Sequence, residues 1–204
     1  MTDCFALLNE PRRPWLEPEE LKQKFLALSA EFHPDRLAAA TAEEKRAAQD
    51  RYAGINAAYQ KLKEPRERLA HLLELELRAK LPDIQKIPAD LMNIFFKVSS
   101  LCREVDAFLN EKAAVSSPLL QIGIFERGQE WAGKLSELQQ QIFAQRDGLL
   151  DELRELDGRW ESARKPEAPE REPMLRRVEE ICRLLGYYGR WTGQIHERIA
   201  RVSF

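Results

Sequence analysis

Apolar residues recur along this chain at helical intervals, and prolines mark where the periodicity stops. Phe5 and Leu8 lie three apart in a short opening segment closed by Pro11, and "PRRPW" reads as a loop. Pro18 suits the first position of a second helix, where its missing N–H costs nothing. Leu21, Phe25, Leu28 and Phe32 then form one apolar face. Pro34 ends that helix, because the residue before a proline is pushed out of the α region. Thr41 and Glu44 spell a capping box for a third helix, with Tyr52, Ile55, Tyr59 and Leu62 as its apolar face. Pro65 interrupts the run, and Leu69, Leu72, Leu73 and Leu77 continue it as a fourth helix. "KLPDIQKIPADL", with Pro82 and Pro88, reads as the boundary between two lobes.

Beyond the boundary the pattern becomes heptad-like. Leu91, Phe95, Val98, Cys102, Val105 and Leu109 make one seam. Trp131, Leu135, Leu138, Ile142, Leu149, Leu153, Leu156 and Trp160 make a second, with one polar position between Ile142 and Leu149. Met174, Val178, Ile181, Leu185, Tyr188, Thr192, Ile195, Ile199 and Val202 make a third. Three seams joined by loops pack best as an antiparallel three-helix bundle. "AAVSSP" (Ala113 to Pro118) and the proline-rich "RKPEAPEREP" (Arg164 to Pro173) read as its turns. The stretch from Leu119 to Gly133 carries three glycines, and its periodicity does not decide between helix and loop. No alternating β-branched run appears, so the expected class is all-α, with lobes at 1–80 and 81–204.

Composition narrows the function. The 204 residues are 44% hydrophobic and 32% charged, with a net charge of −2. No half is strongly basic, which argues against nucleic-acid binding, because phosphate neutralisation needs clustered Lys and Arg. No apolar run approaches the roughly 20 residues of a membrane span. The opening residues carry neither a signal-peptide core nor a transit-peptide pattern. Cys4, Cys102 and Cys182 are odd in number and far apart, which fits free thiols in a reducing cytoplasm. No Cys-x-x-Cys pair, Gly-x-Ser-x-Gly turn or phosphate loop is present. None of His33, His71 and His196 has a partner at metal-ligand spacing, and Glu67 and Glu74 beside His71 read as ordinary surface neighbours. Neither an enzyme nor a cofactor is expected.

One tripeptide does point to chemistry. His33-Pro34-Asp35 sits at the tip of the hairpin formed by the second and third helices, where side chains are presented and not packed. A proline and an aspartate also make a plain helix stop, but the matched apolar faces on both sides and the short helix before them form a larger pattern. That pattern resembles the J domain of DnaJ-type co-chaperones. The resemblance implies that the loop docks on a DnaK-class chaperone and triggers ATP hydrolysis by that partner. Asp35 would offer a carboxylate to a partner arginine, and Pro34 would stiffen the corner and limit the entropy lost on docking. His33 would hold the loop or touch the partner. Lys22, Lys24 and Arg36 match the family's basic face, although a solvated helix face accounts for the two lysines equally well. Leu26, Ala27, Ala30 and Glu31 stand where a general-purpose J domain is often basic, which points to a specialised chaperone.

The continuation "INAAYQKLKEPRERLAHLLELE" (Ile55 to Glu76) resembles HscB, the J-type co-chaperone of iron–sulfur cluster assembly. "ADLMNIFF" (Ala89 to Phe96) and "LLGYYGRWTGQIHERI" (Leu184 to Ile199) are similar to parts of its second lobe. The resemblance implies a J domain followed by a three-helix bundle that grips an IscU-like scaffold protein, while the J domain engages an HscA- or DnaK-type ATPase. The matched client positions are Leu91, Met92, Phe95 and Tyr187. Leu91 and Phe95 lie on the seam, so bundle packing accounts for them equally well. Met92 and Phe96, like Tyr187 and Trp191, are pairs four apart beside a filled seam, a pattern of adaptable surface contacts that burial against another helix would also produce. Phe96 replaces a residue that is commonly polar or acidic in the family. A J protein with a different client, its bundle acting as a coiled-coil adaptor, is the alternative.

Overall fold

A computed structural model describes residues 2–33, 41–79, 87–115, 117–163 and 169–203. Every regular element among them is helical: α1 (Cys4–Leu7), α2 (Pro18–Glu31), α3 (Ala42–Lys63), α4 (Pro65–Leu77), α5 (Met92–Ala114), α6 (Pro118–Ala163) and α7 (Arg171–Ser203). The 3-10 turn Ala89–Leu91 leads into α5.

The local signals act as their chemistry requires. Asp3 caps α1, its carboxylate accepting from the N–H groups of Phe5 and Ala6 at 3.0 and 3.2 Å. Thr41 and Glu44 form both arms of the capping box at the start of α3. Pro18 and Pro65 open α2 and α4. The undecided glycine-bearing stretch is helical and belongs to α6, which runs 46 residues without a break. Buried Ile124 and Gly128 and half-buried Trp131 carry the helical period on to Leu135. The second turn is shorter than the reading of Arg164 to Pro173, because α7 already begins at Arg171. Pro173 lies in its first turn, where backbone N–H groups have no intrahelical acceptor.

By packing, the chain divides into two units. The first comprises Met1–Pro82 and Leu150–Arg183, and the second Asp83–Leu149 and Leu184–Phe204. The grouping is by contact and not by chain order.

In the first unit, α1, α2 and α4 all pack on α3. Phe5, Leu8, Leu21, Ile55, Leu62, Leu69, Leu72 and Leu73 are buried there, as are Leu153, Trp160, Val178 and Ile181 from α6 and α7. The loop between α1 and α2 is held by polar contacts from both sides. Buried Arg68 donates from Nε to the Pro14 carbonyl (3.0 Å) and from Nη1 to the Leu62 carbonyl (2.9 Å). Burial lowers the pKa of that guanidinium to about 10. Asp157, at the far end of α6, accepts from Arg13 Nε at 2.9 Å and from the Trp15 N–H at 3.2 Å, and also pairs with Arg13 Nη2. Trp160 Nε1 donates to the Arg12 carbonyl at 2.7 Å.

His71 is buried, only 2% exposed. Its Nε2 accepts from the Cys4 N–H at 3.0 Å and its ring stacks on Phe5. That hydrogen bond requires a neutral ring with the proton on Nδ1. Desolvation is the main cause that holds its pKa below the usual histidine range.

In the second unit, α5, the first part of α6 and the end of α7 enclose one core. Leu91 comes from the 3-10 turn, Ile94, Val98, Cys102, Val105, Phe108 and Leu109 from α5, Leu135, Leu138 and Ile142 from α6, and Tyr188, Trp191, Ile195 and Val202 from α7. The polar seam position is Gln145, whose Oε1 accepts from the Tyr188 hydroxyl at 2.8 Å. Gly128 permits a close crossing, because a Cβ there would lie 2.7 Å from the Val202 carbonyl oxygen. Lys112 donates to the Arg201 and Val202 carbonyls at 3.1 and 3.2 Å, satisfying the end of α7.

Candidate functional site

The tip of the α2–α3 hairpin begins at His33. The helix before it ends in order, with the Phe32 N–H donating to the Leu28 carbonyl at 3.1 Å and the Arg51 guanidinium 4.5 Å above the Phe32 ring. His33 is exposed, and its ring meets Tyr52 edge-on at 5.7 Å. Below the tip, Phe25 and Tyr59 stack at 4.1 Å and join the two helices. Pro34, Asp35 and Arg36 lie outside the described residues.

The two lysines of α2 part company. At 100° per residue they stand about 200° apart around the helix. Lys24 pairs with Glu10 at 2.9 Å, and that glutamate's side chain is 7% exposed. Lys22 lies on the other flank, 4.0 Å from Glu19. Leu26, which is 55% exposed, and Ala30 follow Lys22 up the flank that leads to His33. One of the expected cations is thus engaged inside the molecule, and the other borders an apolar strip. The separation was available from residue spacing alone; Glu10 as a partner was not.

The expected client positions divide into an outer and an inner layer. Phe96 is 59% exposed, while Met92 and Phe95 are half-buried. Leu91, Tyr187 and Trp191 are buried in the core of the second unit. Tyr187 and Trp191 therefore do not form the second surface pair that their position beside the seam suggested. Within this unit α7 touches both α5 and α6, so its covered face is wider than a two-residue seam. The rings make a connected chain of tilted contacts: Phe96 to Phe95 (5.6 Å), Phe95 to Trp191 (6.5 Å) and Trp191 to Tyr187 (5.7 Å). Tyr187 and Trp191 lie beneath Phe95, and of the expected client positions Met92, Phe95 and Phe96 reach the surface. Arg190, absent from the sequence reading, lies over the Tyr187 ring at 4.7 Å. Its spacing of three from Tyr187 on one helix was the available signal.

No described cluster suggests bond-making chemistry. The described residues contain no group of three His, Cys, Asp or Glu side chains able to hold a metal ion. All three cysteines are buried and unbridged, and desolvation raises the Cys182 thiol to about 11. No helix among the described residues is long and apolar enough to cross a membrane.

No protein-family model matches the chain. Over 72 residues, 35% of this chain, it is 42% identical to the co-chaperone protein HscB homolog of Bordetella pertussis, and equally to that of Bordetella bronchiseptica. The match spans 42% of those relatives' length. The fold is similar to chaperone HscB from Vibrio cholerae, with a TM-score of 0.60 and 20% identity over 96% of each chain. It is also similar to the human co-chaperone protein HscB, with a TM-score of 0.59 and 18% identity over 98% of this chain and 81% of that one. The all-α architecture is that of HscB, and a third of the sequence is close to HscB-type J-domain co-chaperones.

Proposed function

We propose that this HscB-like chain is a J-type co-chaperone that brings an iron–sulfur scaffold protein of the IscU type to an HscA- or DnaK-type ATPase. Residues 1–80 carry the chaperone contact through His33, Pro34, Asp35 and Arg36, with Lys22 as the flanking cation. Residues 81–204 carry the client contact through Met92, Phe95 and Phe96, seated on Leu91 and Tyr187. Holding both partners at once raises the client's effective concentration at the chaperone. The chain itself performs no catalysis, holds no cofactor and works in the cytoplasm.

The observation that supports this most is His33, exposed where α2 stops and the His-Pro-Asp tripeptide begins. A solvent-facing imidazole at a helical corner fits a docking loop better than a packed turn. Stimulation of the chaperone's ATPase by the intact chain, lost in Asp35→Asn, is the expected result. A wild-type chain that stimulates no chaperone of this class overturns the proposal. Binding of the scaffold protein, weakened in Met92→Ala and Phe96→Ala, tests the client half. A different client is the second reading, favoured by the exposed Phe96 where the family pattern is commonly polar or acidic.

A further inference from the structure

The surface around Met92 and Phe96 carries a charge pattern that specifies what it binds. On α5, Met92, Phe96, Ser99 and Arg103 follow at intervals of four, three and four, which places them in one stripe along the solvent side. Arg103 is exposed and lies about 10 Å along the axis from Phe96, at 1.5 Å per residue. On α7, exposed Arg190 covers the ring of Tyr187, which meets Trp191 and through it Phe95. Neither arginine is in an ion pair with a carboxylate among the described residues. The nearby acid on the α7 side, Asp106, is held by both arms of Arg198, at 3.0 and 2.7 Å. Glu104 and Glu137 lie on the other flank, in a groove of about 310 Å³ shared with Lys97 and Lys134. Arg103 thus stands on the patch's own stripe and Arg190 over a ring linked to Phe96 through Trp191 and Phe95, and among the described residues the acids Asp106, Glu104 and Glu137 are engaged or lie on the other flank.

We propose that the partner bound here presents carboxylates beside an apolar side chain, with the apolar group on Met92 and Phe96 and the carboxylates on Arg103 and Arg190. The inference rests on the α5 patch being the client surface and adds the client's chemistry. Guanidinium is suited to this role, because it is always charged and meets a carboxylate through two parallel hydrogen bonds. The same cations reject a basic partner, so the rim sets specificity as well as encounter rate.

The test uses the full chain and two kinds of probe. The first is an IscU-type scaffold protein, titrated against wild type, Phe96→Ala and the double variant Arg103→Glu/Arg190→Glu at low and high salt. All substitutions lie on exposed positions, and the helical circular dichroism melt is recorded for each. Charge reversal is expected to weaken binding roughly ten-fold or more, and added salt to weaken wild type toward the same level. Scaffold binding that needs Phe96 but ignores the two arginines and salt overturns this inference and leaves the client reading intact. The second probe is a pair of short peptides with identical apolar residues, one Glu-rich and one Lys-rich, followed by amide shifts of the isotope-labelled chain. Shifts at Phe96, Arg103 and Arg190 with the Glu-rich peptide alone support the inference even if the scaffold does not bind, in which case the client reading falls. Equal response to both peptides overturns it. So does a dimer of the chain alone that dissociates in Phe96→Ala, which would assign the patch to a second copy.

Discussion

Replacing Lys22 and Lys24 by alanine, one at a time, should produce opposite phenotypes although the residues are two positions apart. Lys24 is engaged by Glu10 at 2.9 Å, and its side chain is 43% exposed. A pair of that kind contributes about 1 kcal/mol at most in water-facing surroundings. Removing the lysine leaves Glu10, whose side chain is 7% exposed, without its cation, so the loss should approach that full value. For a chain of this size about 1 kcal/mol lowers the melting temperature by about 2–4 °C. Stimulation of the chaperone's ATPase should keep its half-saturating concentration within about two-fold, because Lys24 faces away from the flank that leads to His33. Lys22 reverses the pattern. Its contact with Glu19 is 4.0 Å long and both side chains are more than half exposed, so Lys22→Ala should leave the melting temperature unchanged. Its charge lies on the flank that leads to His33, and its loss should raise the half-saturating concentration about three- to five-fold at low salt, fading as salt is added. Melting and ATPase titration on the same preparations give both readouts. If Lys24→Ala weakens stimulation as much as Lys22→Ala, the assignment of the two flanks is wrong.

Asp157→Ala should cost about 2–4 kcal/mol, the lower side of breaking a buried pair because Arg13 is 39% exposed and turns to water; urea unfolding measures it, and a change below about 0.5 kcal/mol contradicts the contact. Gly128→Ala should destabilise, since its Cβ meets the Val202 carbonyl oxygen, while Gly148→Ala on the same helix, with open space around it, should stabilise by about 0.5–1 kcal/mol from helix propensity alone; equal signs in thermal melts would refute the close crossing. His71 is held neutral when folded and its pKa lies below 6.5, so the unfolded chain takes up the proton first as pH falls. Its stability contribution is therefore full above about pH 6.5 and declines below it, and His71→Gln, which keeps an acceptor for the Cys4 N–H, should flatten unfolding free energy between pH 7 and 5.

Much of the architecture is readable from periodicity because helices report their own buried faces. The seam Val98, Cys102, Val105, Leu109 is buried as spaced, and Gln145 proves to be the polar position that accepts from Tyr188. Periodicity does not say how wide a covered face is, and so Tyr187 and Trp191, beside the seam, were not separable from Met92 and Phe96. Buried polar groups are less legible still. Arg13 and Asp157 meet across 144 positions, and Cys4 and His71 across 67. No local pattern announces such a meeting. Arg68 stands in the proline-to-arginine run that carried the family resemblance, yet only the fold reveals that it holds the Pro14 and Leu62 carbonyls.

The clasp that Asp157 and Trp160 place on residues 12–15 has a practical corollary for anyone cutting the gene. Residues 150–183 complete the folding unit that begins at the amino terminus. A truncation after α4 strips away its closing wall and leaves the Arg13 and Trp15 anchors grasping at solvent. Such a fragment should be sticky and short-lived in the test tube, and grafting the long hairpin end back on should restore it.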